Sequence, residues 1–139
     1  MPKDQLLRVR DAGSAGSITA SEAVYNSLTR DPTTGRCVIA INSTPIKGMA
    51  VELSYAAPTG DATARADVTL WGSDSSDMSS AVLLATFTQV VCTTGAVAAR
   101  EVKRFHTRLA YVASKVVITN TVAGFDPVVL LEDTLGETS

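Results

Sequence analysis

The chain has 139 residues, of which 12 are Lys or Arg, 14 are Asp or Glu and 45% are apolar. That length suits one domain with a real core, and a net charge of −2 argues against a nucleic-acid footprint, which needs a basic surplus clustered on one face. No segment has the apolar length needed to span a bilayer, and the charged start MPKDQLLRVR lacks the apolar run of a secretory signal, so the protein is expected to fold where it is made.

Residues 6–10 read as a short strand, and 11–16 (DAGSAG) as a flexible loop that holds no helix. Residues 17–27 show no clear period and read either as a first strand or as a loose arm in which Val24 and Tyr25 pack. Arg30-Asp31-Pro32-Thr33-Thr34-Gly35-Arg36 is a turn, because Pro presets one φ and Gly permits a positive one. Residues 37–42 are apolar on both faces, as a strand in a two-sheet core would be. Thr44-Pro45 interrupts the run.

From Gly48 the pattern alternates, with Met49, Val51, Leu53 and Tyr55 on one face and Ala50, Glu52 and Ser54 on the other. The first face is expected inward, the second toward water or a partner. Residues 57–61 turn. Residues 64–72 alternate again, with Ala64, Ala66, Val68 and Leu70 opposite Arg65, Asp67, Thr69 and Trp71. The only tryptophan therefore falls on the polar side of its strand. It reads either as a ring partly covered by the loop that follows or as an interface anchor, since aromatics on polar faces are favoured at protein contacts.

Residues 73–80 (SDSSDMSS) form a polar loop, and 82–87 and 90–92 form further β stretches. Residues 96–100 have helical propensity but are too few to form a helix alone. The longest β-type run, 109–119, is followed by Gly-Phe-Asp-Pro and a second apolar run, 128–131. The pair reads as adjacent antiparallel strands, rich in the β-branched residues that suit a pleated surface. Residues 133–139 form a polar tail. Eight or nine strands with turns about every ten residues predict an all-β fold: an antiparallel sandwich, jelly roll or barrel.

Chemistry is sparse. His106 is the only histidine, and Cys37 and Cys92 cannot complete a four-ligand metal site. Both cysteines sit in apolar runs and read as reduced core thiols. No nucleophile with base and orienter is legible, so neither catalysis nor a cofactor is expected. The 73–77 loop superficially resembles a calcium loop but lacks the Gly and the distal Glu. Arg100 to Arg108 is the most charged patch; period 2 places Arg100, Arg104 and Arg108 on one face with Val102 and His106. This reads as a charged strand edge that discourages unwanted pairing rather than as a phosphate-binding surface.

Three segments in this order, Thr44-Pro45-Ile46-Lys47-Gly48-Met49-Ala50-Val51, Trp71-Gly72-Ser73-Asp74 and Arg104-Phe105-His106-Thr107-Arg108-Leu109-Ala110-Tyr111-Val112, resemble small virion proteins of tailed bacteriophages. These are the jelly-roll cement or decoration proteins of the head exterior, and the likeness spans roughly residues 35–131. The resemblance implies a jelly roll over 31–133, flanked by an arm (1–30) and a tail (134–139). It further implies no enzymatic activity, a homo-oligomer (dimer or trimer), the major capsid protein as partner, and a place on the outside of the virion after synthesis in the host cytoplasm. Arg65, Thr69, Trp71, Arg104 and Arg108 are the candidate capsid or subunit contacts. Two alternatives stay open: a tail or fibre component, although such chains usually carry repeats or a stalk, and a carbohydrate-binding sandwich, which usually needs a platform of exposed aromatics.

Overall fold

The computed structural model describes residues 8–11, 18–41 and 47–133. The 11–16 loop, the Thr44-Pro45 interruption and the polar tail beyond 133 lie wholly or mainly outside the described residues. Within them the backbone forms eleven strands and no helix. These are β1 (Arg8–Arg10), β2 (Ile39–Ala40), β3 (Lys47–Tyr55), β4 (Thr59–Gly60), β5 (Arg65–Ser73), β6 (Val82–Thr86), β7 (Val90–Val91), β8 (Ala99–Thr107), β9 (Tyr111–Thr119), β10 (Val122–Gly124) and β11 (Pro127–Asp133). Residues 96–98 are not helical, as expected of so short a run.

One sheet has the order β1-β11-β3-β8, and a second has the order β2-β9-β5-β6, with β7 also on β5; β4 and β10 form a small third pair. Every pairing is antiparallel. The two large sheets pack face to face as a β-sandwich. Val9, Val51, Leu53, Phe105, Val129 and Leu131 of the first join Ala66, Val68, Leu70, Ala85, Val112 and Val116 of the second in one buried cluster. Each Val, Leu or Phe so buried stabilises the fold by about 1.5–3 kcal/mol. Among the eight strands of the two sheet orders, partners are nested: β1 with β11, β2 with β9, β3 with β8, β5 with β6. The chain therefore changes sheet at every step except β5 to β6.

Two expectations are corrected here. The runs 109–119 and 128–131 are not neighbours: β9 lies in the second sheet and β11 in the first. Between them β10 pairs with β4, and Phe125 is buried and meets the Tyr55 ring edge-on at 5.5 Å. An apolar ring in the connection draws it across the end of the sandwich, where a solvent-facing hairpin turn would leave the ring exposed. The second correction concerns Ala50 and Glu52, expected toward water or a partner. They are only 2% and 6% exposed. β3 is flanked on both sides, by β11 and β8, and its outward Glu52 is capped by Arg100 Nε from β8 at 2.9 Å.

Candidate functional site

Strand β5 carries three of the five candidate contacts. Its inward residues Ala66, Val68 and Leu70 are buried, while Arg65, Asp67, Thr69 and Trp71 alternate with them and are half-buried on the outer face. The register sets cross-strand rows on that face. Trp71 lies between Leu83 of β6 and Ala113 of β9, and Thr69 between Thr86 and Lys115. Asp67 lies beside Val117, and Arg65 between Val91 and Thr119.

The Trp71 ring is held from several sides. Its Nε1 donates to Thr69 Oγ1 at 2.8 Å, the Lys115 ammonium stands 5.5 Å from the ring centroid, within cation–π range, and Thr69 Oγ1 in turn bonds the Lys115 carbonyl. Val38, Met78 and Ala113 form a small buried cluster against which Val24, Tyr25, Ala81, Tyr111 and Trp71 pack. Met78 and Ala81 come from the 74–81 loop, so the ring is partly covered by the loop that follows its strand, one of the two readings of the sequence.

Arg104 and Arg108 lie elsewhere. On β8, Phe105 and Thr107 are buried while Arg100, Val102, Arg104 and His106 are exposed, as period 2 predicts. Arg108 is exposed just beyond the strand. Arg104 therefore occupies the outer face of the first sheet, and the Arg65/Thr69/Trp71 set occupies that of the second. The five candidates are not one site.

Sequence reading missed a buried ion cluster that fastens residues 18–36 to the sandwich. Arg10 Nη1 donates to Glu22 Oε2 at 2.8 Å, and Arg36 Nε lies 3.5 Å from Glu22 Oε1. The two arginines are 2% and 7% exposed. Arg36 also donates to the carbonyls of Ala23 and Ser114 and lies over the Tyr25 ring at 5.0 Å. Burial pushes the Arg36 guanidinium below its ordinary pKa, and Glu22 acts against that shift.

The cluster has a clear task. Strand β2 pairs only with residues 111–112 of β9, while Glu22 N–H donates to the Val116 carbonyl and the Ser21 hydroxyl bonds Ile118 N–H and carbonyl. The Arg36 side chain serves the Ser114 carbonyl in the gap between. A buried carbonyl left without a donor costs about 1–3 kcal/mol, so Arg36 stands in for a missing ladder bond. Nothing periodic in SITASEAVYNS marks this; the one legible sign is that Arg30 and Arg36 flank the turn, and Arg30 indeed bonds the carbonyls of Gly35 and Arg8.

The remaining chemistry closes on itself. Asp77 accepts from the Ser75 hydroxyl at 2.8 Å and from Ser79 N–H at 3.0 Å, and these bonds hold its carboxyl below the usual range. The loop that superficially resembles a calcium loop thus uses that carboxylate internally, and no group of three metal-ligating residues occurs among the described residues. A groove of about 220 Å³ is lined by Leu53, Tyr55, Thr88, Gln89, Arg100 and Glu101, and the Glu101 carboxylate accepts from Thr88 N–H and hydroxyl at 2.7 and 2.6 Å. Cys37 and Cys92 are free and buried. No helix among the described residues is long and apolar enough to cross a membrane. No protein-family model, curated protein or solved structure matches the chain.

Proposed function

We propose that this is a structural, non-enzymatic virion protein of a tailed phage, a homo-oligomer that binds the outside of the head and stabilises the shell of the major capsid protein. The observation that carries the reading is the nested pairing of eight strands, first with eighth, second with seventh, third with sixth, fourth with fifth. A long antiparallel ribbon folded over into two sheets pairs in this way, which supports the jelly roll that the motif resemblance implies. Fold alone does not give function; here the topology and the three motifs, two independent features, point the same way.

The role has a simple energetic basis. A protein that binds only the assembled shell shifts assembly by mass action, and repeated contacts on a lattice add avidity. Because the candidate contacts divide between two outward faces, they serve two different contacts, one with the shell and one facing away from it or toward a neighbouring subunit.

The test is co-sedimentation of purified protein with capsids stripped of it, counting bound copies per shell. Saturation at a stoichiometry tied to the lattice is expected. A protein that binds tails and not heads would overturn the proposal in favour of the tail or fibre reading, and binding to a glycan array in favour of the carbohydrate reading. Trp71→Ala and Arg104→Glu, assayed in parallel, identify which face meets the shell. The variant on that face lowers the copy number while its circular dichroism spectrum stays that of the wild type.

A further inference from the structure

A two-sheet sandwich has four sheet edges, and three of them here are closed or guarded. The β1 edge is bonded by residues 35–37, through Asp11 N–H to the Gly35 carbonyl and Cys37 N–H to the Val9 carbonyl. The β2–β9 edge is covered by residues 18–27, through Glu22 N–H to Val116 and Val38 N–H to the Ser27 carbonyl. The β8 edge carries Arg100, Glu101, Lys103 and Arg104, the charges that ordinarily prevent strands from adding to an edge.

The fourth edge, β6, differs. Its sequence is VLLAT, with no charge and no proline, and among the described residues no strand pairs with its far side. Val82 and Leu83 are 54% and 47% exposed. A register step between Leu70 and Trp71 places one extra residue in β6. That bulge shortens the straight run but adds no repulsive group.

We propose that β6 is a dimerisation edge, and that its occupant is the β6 strand of a second copy of this chain, paired antiparallel so that two five-stranded sheets become one. Two features favour a copy over a foreign strand. An antiparallel ladder has its own two-fold symmetry, so an edge strand is complementary to itself under the isologous operator that most homodimers use. An uncharged strand also meets its copy with no charge to desolvate or repel in any register, whereas the β8 edge would bring in Arg100, Glu101, Lys103 and Arg104. The register that keeps outer faces continuous places outward Leu83 and Thr86 on the same side as their counterparts, extending the Trp71 row across the dimer. The contact is two-fold, so it gives a dimer and not a trimer. The inference rests on the homo-oligomer part of that reading and deepens it by naming the contact; its test uses purified protein alone, so its failure is distinguishable from a failure to bind capsids.

Sedimentation velocity over a concentration series tests it, with wild type beside Leu83→Lys and Thr86→Lys. Each substitution enters a two-fold contact twice, so two like charges are brought into one short, otherwise uncharged ladder, within a Debye length of each other. The dimer dissociation constant is expected to rise at least about tenfold for either variant, with wild-type circular dichroism. Amide hydrogen exchange at residues 82–86 is expected to slow as wild-type concentration rises through the dimerisation range. A wild-type monomer at every concentration overturns the proposal. So does a dimer or trimer that ignores both variants and leaves exchange at 82–86 unchanged.

Discussion

Replacing Glu22 by Gln removes one negative charge from between two buried guanidinium groups while preserving size and the backbone bond to Val116. Arg10 is 2% and Arg36 7% exposed, so neither cation regains much hydration when its partner is neutralised. Removing one member of a buried pair typically costs about 3–5 kcal/mol, because the charge left behind is uncompensated. Asp126 acts on Arg10 and Asp31 on Arg36 at longer range, which offsets part of that loss and places the expectation near about 3 kcal/mol. Against a total of about 5–15 kcal/mol for a domain, this is a large fraction.

Urea titration followed by far-UV circular dichroism reads it. With a slope of about 2 kcal/mol per molar urea, the midpoint falls by about 1.5 M. A double variant that also replaces Arg36 by Met should recover part of the loss, because one of the two stranded charges goes with it while Arg10 stays. Recovery is partial, since the Ser114 carbonyl then lacks its donor. A midpoint for Glu22→Gln indistinguishable from wild type refutes the reasoning, and means that water enters the cluster freely.

Asp126 supplies a test of sign. Burial, with Asp11 nearby, raises its carboxyl pKa above the ordinary 3.8 despite Arg10, so the folded state holds a proton that the unfolded state has released. Its contribution to stability therefore falls as pH rises through that window; Asp126→Asn should be more stable than wild type at neutral pH, the difference vanishing below 3.8. The two thiols are buried, and burial pushes Cys92 above its ordinary pKa. Both should react with a thiol reagent only at the rate of unfolding, and a fast phase worth one thiol would contradict the placement of Cys37 or Cys92.

How much of this was legible in the sequence depends on the element. β5 was read correctly in both directions, since its outward side is polar and its inward side apolar. β3 was read correctly for Met49, Val51 and Leu53 but not for Ala50 and Glu52. Alternation says which way a side chain points, whereas burial also depends on which strands flank it. The pairing of 109–119 with 128–131 failed because a short turn signal does not distinguish a hairpin from a crossing between sheets. The buried Phe125 decides that, and its burial is a tertiary fact. The ion cluster was out of reach for a related reason: Arg10, Glu22 and Arg36 have no common period and meet only when the β9 edge needs covering. Of the candidate contacts, strand faces were predictable, but whether two faces adjoin is set by topology, and here they do not.

The cluster and the outer face are linked, which gives Glu22 a functional consequence at a distance. Arg36 holds Tyr25, and Val24 and Tyr25 pack with Trp71, Met78 and Tyr111. Thr69 and Lys115 fix the same indole from the sheet itself. A ring immobilised before binding loses little freedom on contact, whereas ordering a loose side chain at an interface costs about 0.5–1.5 kcal/mol. Loosening residues 18–36 through Glu22→Gln should therefore weaken a partner that docks on the Trp71 face, although Glu22 itself lies outside the group of residues packed with that ring. Co-sedimentation at a temperature where the variant is still folded is expected to show fewer copies per shell than wild type. Unchanged binding by a destabilised but folded Glu22→Gln would mean that the β5 face is held by its sheet alone, and that the cluster serves stability only.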